Sequence, residues 1–224
     1  MDCLLLLLAV AVGYLSGSVN YAILVTRAVT GTDIRERGNR NPGSSNVLRT
    51  VGRGWGLLVG TLDALKGMVP LIFFRIFLYP DLSAPDMGCL YLVGIAAVVG
   101  HCRSVFHGFK GGGGIGTMLG VSLFFVPIEF LFSMLVGGLV AMRFFGGAEH
   151  KFSQWTPVMF VTLTPFVTLA TSLLVDIPLF AHIRLGGHSW SVVAGAFALS
   201  FLLLWLNRSF MRRRSQEYQA IRRA

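Results

Sequence analysis

Apolar runs separated by short polar or glycine-rich connections recur along nearly the whole chain. They cover about Leu4–Val25, Trp55–Phe77, Met87–Val99, Ile115–Met142, Trp155–Val175 and Trp190–Leu206. Most have the length that lets a helix cross the hydrocarbon of a bilayer, roughly 17–25 residues. The pattern predicts an all-α, polytopic integral membrane protein, a single membrane domain over 1–224. Ile115–Met142 is too long for one ordinary span and carries Pro127 and Glu129 at its middle. It reads either as one long kinked helix or as two short ones joined at the proline.

Charge decides between them. With two helices there are seven spans, and all but three of the nineteen Lys and Arg residues collect on one side. The exceptions are Arg184, opposite, and Lys66 and Arg75, inside a span. A single long helix would split the basic residues almost evenly. Because basic residues favour cytoplasmic connections, the expectation is seven transmembrane helices, amino terminus outside and carboxyl terminus cytoplasmic. The two short spans flanking Pro127 are then expected to tilt or pack against neighbours. The segments at 27–54 and 100–117 and the basic tail 207–224 would all emerge on the cytoplasmic face.

Composition agrees: 54% of residues are hydrophobic and 13% charged, too little polar surface for a soluble domain of this size. The net charge of +9 is accounted for by orientation and by anionic lipid, so no nucleic-acid partner is expected. Met1-Asp2-Cys3-Leu4 lacks a basic leader region, so the first run is expected to be a retained span. Cys3, Cys89 and Cys102 are too scattered for a disulfide framework or a metal site, and no close His, Cys and carboxylate set has ligand spacing.

The densest chemistry lies between Gly100 and Thr117, where His101, Lys110 and Gly111, Gly112, Gly113 and Gly114 share one connection. Glycines let backbone N–H groups converge on a point, and a helix starting near Ile115 adds its own free amides. This is the chemistry of a phosphate cradle; a merely flexible loop is the alternative. His101 reads either as a helix-end polar residue or as a group that orients or deprotonates a hydroxyl. The segment Asp33 to Arg49 is rich in Asn, Ser and Gly, and Arg49 adds a fork suited to phosphate; a basic loop on lipid head groups is the other reading. Asp63 and Lys66, three apart, share a helix face inside a span, as a structural pair or as substrate contacts. The tail from Asn207 is a basic stop signal that is able to lend a polar group to the site.

Four stretches together resemble the bacterial acyl-phosphate–glycerol-3-phosphate acyltransferases, the PlsY family. They are Gly13 to Ser18, Asp33 to Arg49, Asp63 to Gly67 (Asp-x-x-Lys-Gly) and Gly100 to Thr117. The resemblance implies an inner-membrane, multi-pass enzyme with its active site facing the cytoplasm. It would move a fatty acyl group from acyl phosphate to the 1-hydroxyl of glycerol 3-phosphate, forming lysophosphatidic acid, with no metal or other cofactor. Membrane lipids and the soluble enzyme that makes acyl phosphate are the implied partners. Asn39, Asn41, Gly43, Ser45, Asn46, Arg49, Lys110, Gly111, Gly112, Gly113, Gly114 and Thr117 would hold phosphate. His101 would be catalytic, and Asp63, Lys66 and Asn207 would support the site. The chain departs from the family pattern at Asn39 (a serine), Arg40 (a glycine), Ser44-Ser45 (Ala-Thr), Arg103-Ser104 (an aromatic-proline pair), Gly113 (a lysine) and most of the tail motif. A non-catalytic or altered-acceptor binder of phospholipid or acyl phosphate, and a small-anion transporter, are the competing readings.

Overall fold

A computed structural model describes residues 3–78, 87–145, 149–173 and 190–223. Among these the regular structure is helical: α1 (Cys3–Ser18), α2 (Tyr21–Thr30), α3 (Ser44–Thr50), α4 (Arg53–Phe73), α5 (Met87–Cys102), α6 (Ile115–Phe125), α7 (Pro127–Phe145), α8 (Glu149–Leu173) and α9 (Trp190–Arg223). Six stretches of the described residues are long and apolar enough to span a bilayer: Cys3–Thr30, Arg53–Leu78, Met87–His107, Pro127–Phe144, Trp155–Leu173 and Trp190–Arg208. Ile115–Phe125 is a shorter apolar helix. The long apolar run does break at Pro127, where the ring cannot donate to the preceding turn and a new helix begins. The turn expected at Tyr79-Pro80-Asp81 and the connection Asp176 to Gly187 lie outside the described residues.

Side chains sort by size around the helices. On α1, Leu4, Leu8, Val12 and Leu15 form an exposed apolar stripe, while Ala9, Gly13 and Gly17 face inward. This suits helix association in lipid, where small residues let backbones meet. A Cβ on Gly17 would overlap the Ala97 carbonyl of α5, one on Gly13 would lie 2.6 Å from the Val93 carbonyl oxygen, and one on Gly100 would strike the Tyr14 carbonyl of α1. The main apolar core joins α5, α6 and α9 through Leu90, Val98, Met118, Val121, Leu199 and Leu203, with Tyr91 stacked on Phe125 at 3.8 Å between ring centres.

The first apolar run is not one helix. It breaks at Val19 and Asn20, because Asn20 caps α2 by accepting from the Ile23 amide at 3.1 Å. A helix end inside a membrane protein needs partners for its carbonyls. Ser104 Oγ donates to the Ser18 carbonyl (2.6 Å) and Lys66 Nζ to the Val19 carbonyl (2.7 Å). The segment 27–54, expected as a polar connection without a sustained apolar run, contains the end of α2, a 3₁₀ turn at Ile34–Glu36 and α3.

Candidate functional site

The site is built where α5 ends, α6 begins and the 31–43 segment folds back. Helix α5 terminates at Cys102, and its last carbonyls need donors. Gly111 N–H donates to the Cys102 carbonyl (3.2 Å) and Gly112 N–H to the His101 carbonyl (3.0 Å). The glycine run therefore lies directly on the helix end. Such contact excludes side chains: a Cβ on Gly111 would overlap the His101 carbonyl, and one on Gly112 would overlap His101 Nε2 and sit 2.7 Å from the Pro42 carbonyl. Gly114 adopts φ +79°, which favours glycine, and is packed against Cys102 Sγ. Gly113 alone of the four has room for a side chain, its nearest neighbour being Asn207 Oδ1 at 3.4 Å.

Two expectations change here. Gly111 and Gly112 do not offer their amides to a ligand, because α5 takes them. The first hydrogen bond within α6 comes from Met118 to Gly114 (2.9 Å), which leaves the amides of residues 113–117 without an acceptor among the described residues. Those five N–H groups, at the start of an 11-residue helix, are the amides the fold leaves free, as an anion site would need. Asn207 Nδ2 donates to the Gly113 carbonyl (2.8 Å). Since N–H and C=O oppose each other across a trans peptide, this contact fixes the direction of the Gly114 amide.

His101, expected as the catalytic group, lies beneath the loop. It is 3% exposed, its Nε2 faces Gly112, and its Nδ1 is 3.6 Å from Asp63 Oδ1. Burial under the glycine backbone makes it a support for the loop in this structure and not a group open to substrate. Asp63 pairs with Lys66 at 2.7 Å, with side-chain exposures of 3% and 1%. Since Lys66 also caps α1, the pair is structural: it joins α1, α4 and α5 under the site. Thr117, expected to touch phosphate, is fully buried; its carbonyl packs on Gly67 of α4, and its Oγ1 has no hydrogen-bond partner among the described residues.

The 31–43 segment is fastened by one residue. Asn46 is 1% exposed; its Nδ2 donates to the carbonyls of Ile34 (3.4 Å), Arg37 (3.0 Å) and Asn41 (3.1 Å), and its Oδ1 accepts from the Asn39 amide (3.3 Å). Asn46 is thus committed to the loop and is not available to phosphate as expected. Asn39 Oδ1 accepts from the Asn41 amide at 3.1 Å. Asp33 accepts from Arg27 (2.6 Å) and from Arg35 (2.7 Å), and the Arg35 guanidinium holds its carboxyl well below the usual carboxylate range. Gly43 opens α3. Ser45, Arg49 and Lys110 are exposed, and neither cation has a carboxylate within 4.0 Å among the described residues. The side chains of the tail beyond Arg208 lie outside the described residues.

Four contributors were given no role in the sequence reading, although Tyr14, Ser16 and Ser104 lie in its family-like stretches: Asn20, Tyr14, Ser16 and Ser104. Asn20 Nδ2 donates to the Pro42 carbonyl (3.3 Å), Tyr14 Oη to the Arg103 carbonyl (2.8 Å), and Ser16 Oγ to the Lys66 carbonyl (2.9 Å). A polar residue inside an apolar run was the available signal at Asn20. The others gave none, because their partners are backbone atoms distant in sequence.

Known proteins carry the same architecture. The family model described as glycerol-3-phosphate acyltransferase matches residues 7–216. The chain belongs to this family. A glycerol-3-phosphate acyltransferase of Legionella pneumophila (strain Corby) is 37% identical over 166 residues, 74% of this chain and 55% of the relative. One from Myxococcus xanthus (strain DK1622) is 42% identical over 127 residues, 57% of this chain and 64% of the relative. The chain thus spans less than two thirds of either. The crystal structure of PlsY (YgiH), an integral membrane glycerol 3-phosphate acyltransferase, in its glycerol 3-phosphate form superposes with a TM-score of 0.67 at 29% identity, covering 95% of this chain and 92% of that one. Its lysophosphatidic acid form gives 0.65 at 27% identity, with the same coverage. Family membership and the apolar helices make this chain a multi-pass membrane protein.

Proposed function

We propose that this protein transfers a fatty acyl group from acyl phosphate to the 1-hydroxyl of glycerol 3-phosphate, forming lysophosphatidic acid. The observation that carries the reading is the set of free amides at residues 113–117, held on α5 by Gly111 and Gly112 and abutted by the Pro42 loop, in a chain of this family. Solved relatives named for their glycerol 3-phosphate and lysophosphatidic acid forms supply the substrate class.

Acyl phosphate is a mixed anhydride, so the protein has chiefly to align it and neutralise charge. The hydroxyl oxygen of glycerol 3-phosphate attacks the acyl carbon, and the bond from that carbon to the phosphate oxygen breaks. The hydroxyl proton leaves with the departing phosphate. That route needs no base at His101, which instead holds the loop over Asp63. The amides of residues 113–117, with Lys110, Arg49, Ser45, Asn39 and Asn41, form the polar surroundings of the two phosphoryl groups. Thr117 closes the first turn of α6 from below, Asn207 orients Gly114, and Asn46 shapes the opposite loop.

The topology that suits this chemistry has seven spans, with α6 and α7 counted separately, the amino terminus outside, and the site on the cytoplasmic face of the inner membrane. Soluble glycerol 3-phosphate, and acyl phosphate from the soluble enzyme that makes it, meet there. The test is product formation: purified protein supplied with acyl phosphate and glycerol 3-phosphate yields lysophosphatidic acid. Lys110→Ala removes most turnover. His101→Ala lowers turnover without removing an acid limb from the pH–rate profile, as a supporting residue requires. Binding of both substrates without product would make the chain a non-catalytic relative.

A further inference from the structure

Arg40 stands out on the rim of this site. Its backbone has φ +60°, a left-handed conformation that a side chain makes costly and that glycine adopts freely. The turn is closed by the Arg40 amide on the Arg37 carbonyl (2.9 Å), and the next residues, Asn41 and Pro42, are held by Asn46 and Asn20. The conformation is thus imposed from both sides. Among the described residues the guanidinium has no carboxylate within 4.0 Å and Arg40 is exposed, whereas Arg27 and Arg35 on the same segment both bind Asp33.

Its position supplies a partner. Pro42, two residues on, has its carbonyl against Gly112, and Gly112 directly precedes the free amides of 113–117. The short tether through Pro42 keeps the Arg40 backbone beside the cradle. Gly113, facing that cradle, brings no side chain, so the amides lack a flexible cation of their own beyond Lys110.

Resting on the acyltransferase reading, we propose that Arg40 is a specificity-determining residue that grips the phosphate monoester of glycerol 3-phosphate. Its place in the polar segment 31–43, outside every candidate membrane span, assigns it to the soluble substrate and not to the lipidic acyl phosphate. A guanidinium is matched to a phosphate dianion through two parallel N–H donors. Left-handed strain retained at this residue is then the cost of aiming the fork.

The experiment compares wild-type protein with Arg40→Gln, Arg40→Lys and Arg40→Gly, by binding of glycerol 3-phosphate and inorganic phosphate and by steady-state kinetics. Arg40→Gln keeps the strain and removes the charge. It is expected to raise the Kd and KM for glycerol 3-phosphate about ten- to a hundredfold, with KM for acyl phosphate within twofold. Arg40→Lys recovers part of the loss. Arg40→Gly loses the same affinity yet melts no lower than wild type, which separates binding from folding. Unchanged glycerol 3-phosphate affinity in Arg40→Gln, or a change confined to acyl phosphate, overturns the assignment. If wild-type protein makes no product but Arg40→Gln still weakens glycerol 3-phosphate binding, the acyltransferase reading falls and the role of Arg40 stands. If wild-type protein binds neither glycerol 3-phosphate nor phosphate, both fall.

Discussion

Replacing Lys66 by Met tests how the interior of this protein is held. Lys66 Nζ lies 2.7 Å from Asp63 Oδ1 and donates at 2.7 Å to the Val19 carbonyl. Methionine fills similar volume but leaves the Asp63 carboxylate buried without its cation and the end of α1 without its cap. The His101 ring, 3.6 Å from the same carboxylate oxygen, makes no hydrogen bond to it. Stranding one member of a buried pair costs about 3–5 kcal/mol. For a chain of this size that corresponds to a melting temperature lower by roughly 6–20 °C, at about 2–4 °C per kcal/mol. Cys102 is buried and free, so a thiol-reactive dye reports its exposure on heating once Cys3 and Cys89 are replaced by serine. The double variant Asp63→Asn/Lys66→Met leaves no buried charge and is expected to melt above Lys66→Met alone. A Lys66→Met melting point within about 2 °C of wild type, or a double variant that loses the full sum of the two single losses, would refute the account.

The glycine run makes a graded prediction: Gly112→Ala drives a methyl into His101 and the Pro42 carbonyl and is expected to cost about 1–3 kcal/mol, whereas Gly113→Ala meets only Asn207 and costs less; melting of the two proteins side by side decides. Asn46→Ala removes the donor to three carbonyls and the acceptor for Asn39, and is expected to raise KM for glycerol 3-phosphate more than it lowers kcat, with faster amide exchange over 34–41. The Asp33 carboxyl has a folded-state pKa below its unfolded value of roughly 3.9. Its contribution is therefore complete above that value and is lost as pH falls through the folded one. Exchange over 27–37 should accelerate below about pH 4, and Asp33→Asn should show the faster exchange already at neutral pH.

Periodicity and length made the helices legible, because lipid requires every backbone group to be paired within the helix and leaves long apolar runs as the trace. Pro127 and the Asp63–Lys66 spacing were legible for similarly local reasons. The break at Asn20 was not: two residues inside an apolar run leave hydropathy unchanged, and only the partners of Ser18 and Val19 reveal it. The glycine loop was legible as a run of side-chain-free backbone, but which of its amides stay free depends on where α5 ends. For the same reason Thr117, Asn46 and His101 could be picked out in the sequence while their packing, fastening and supporting contacts could not. Those contacts are set by atoms as far as 50 positions away in sequence, which no local pattern encodes.

Where Gly17 and Gly100 press main chain on main chain, α1 and α5 meet with little side chain between them. The pair behaves as one rigid strut, with the glycine loop mounted at one end through His101 and the Asn20 turn at the same end. Any ligand of the amides at 113–117 must therefore come and go by motion of the loops or by sliding in from the bilayer, because the α1–α5 pair on which the glycine loop is footed does not open.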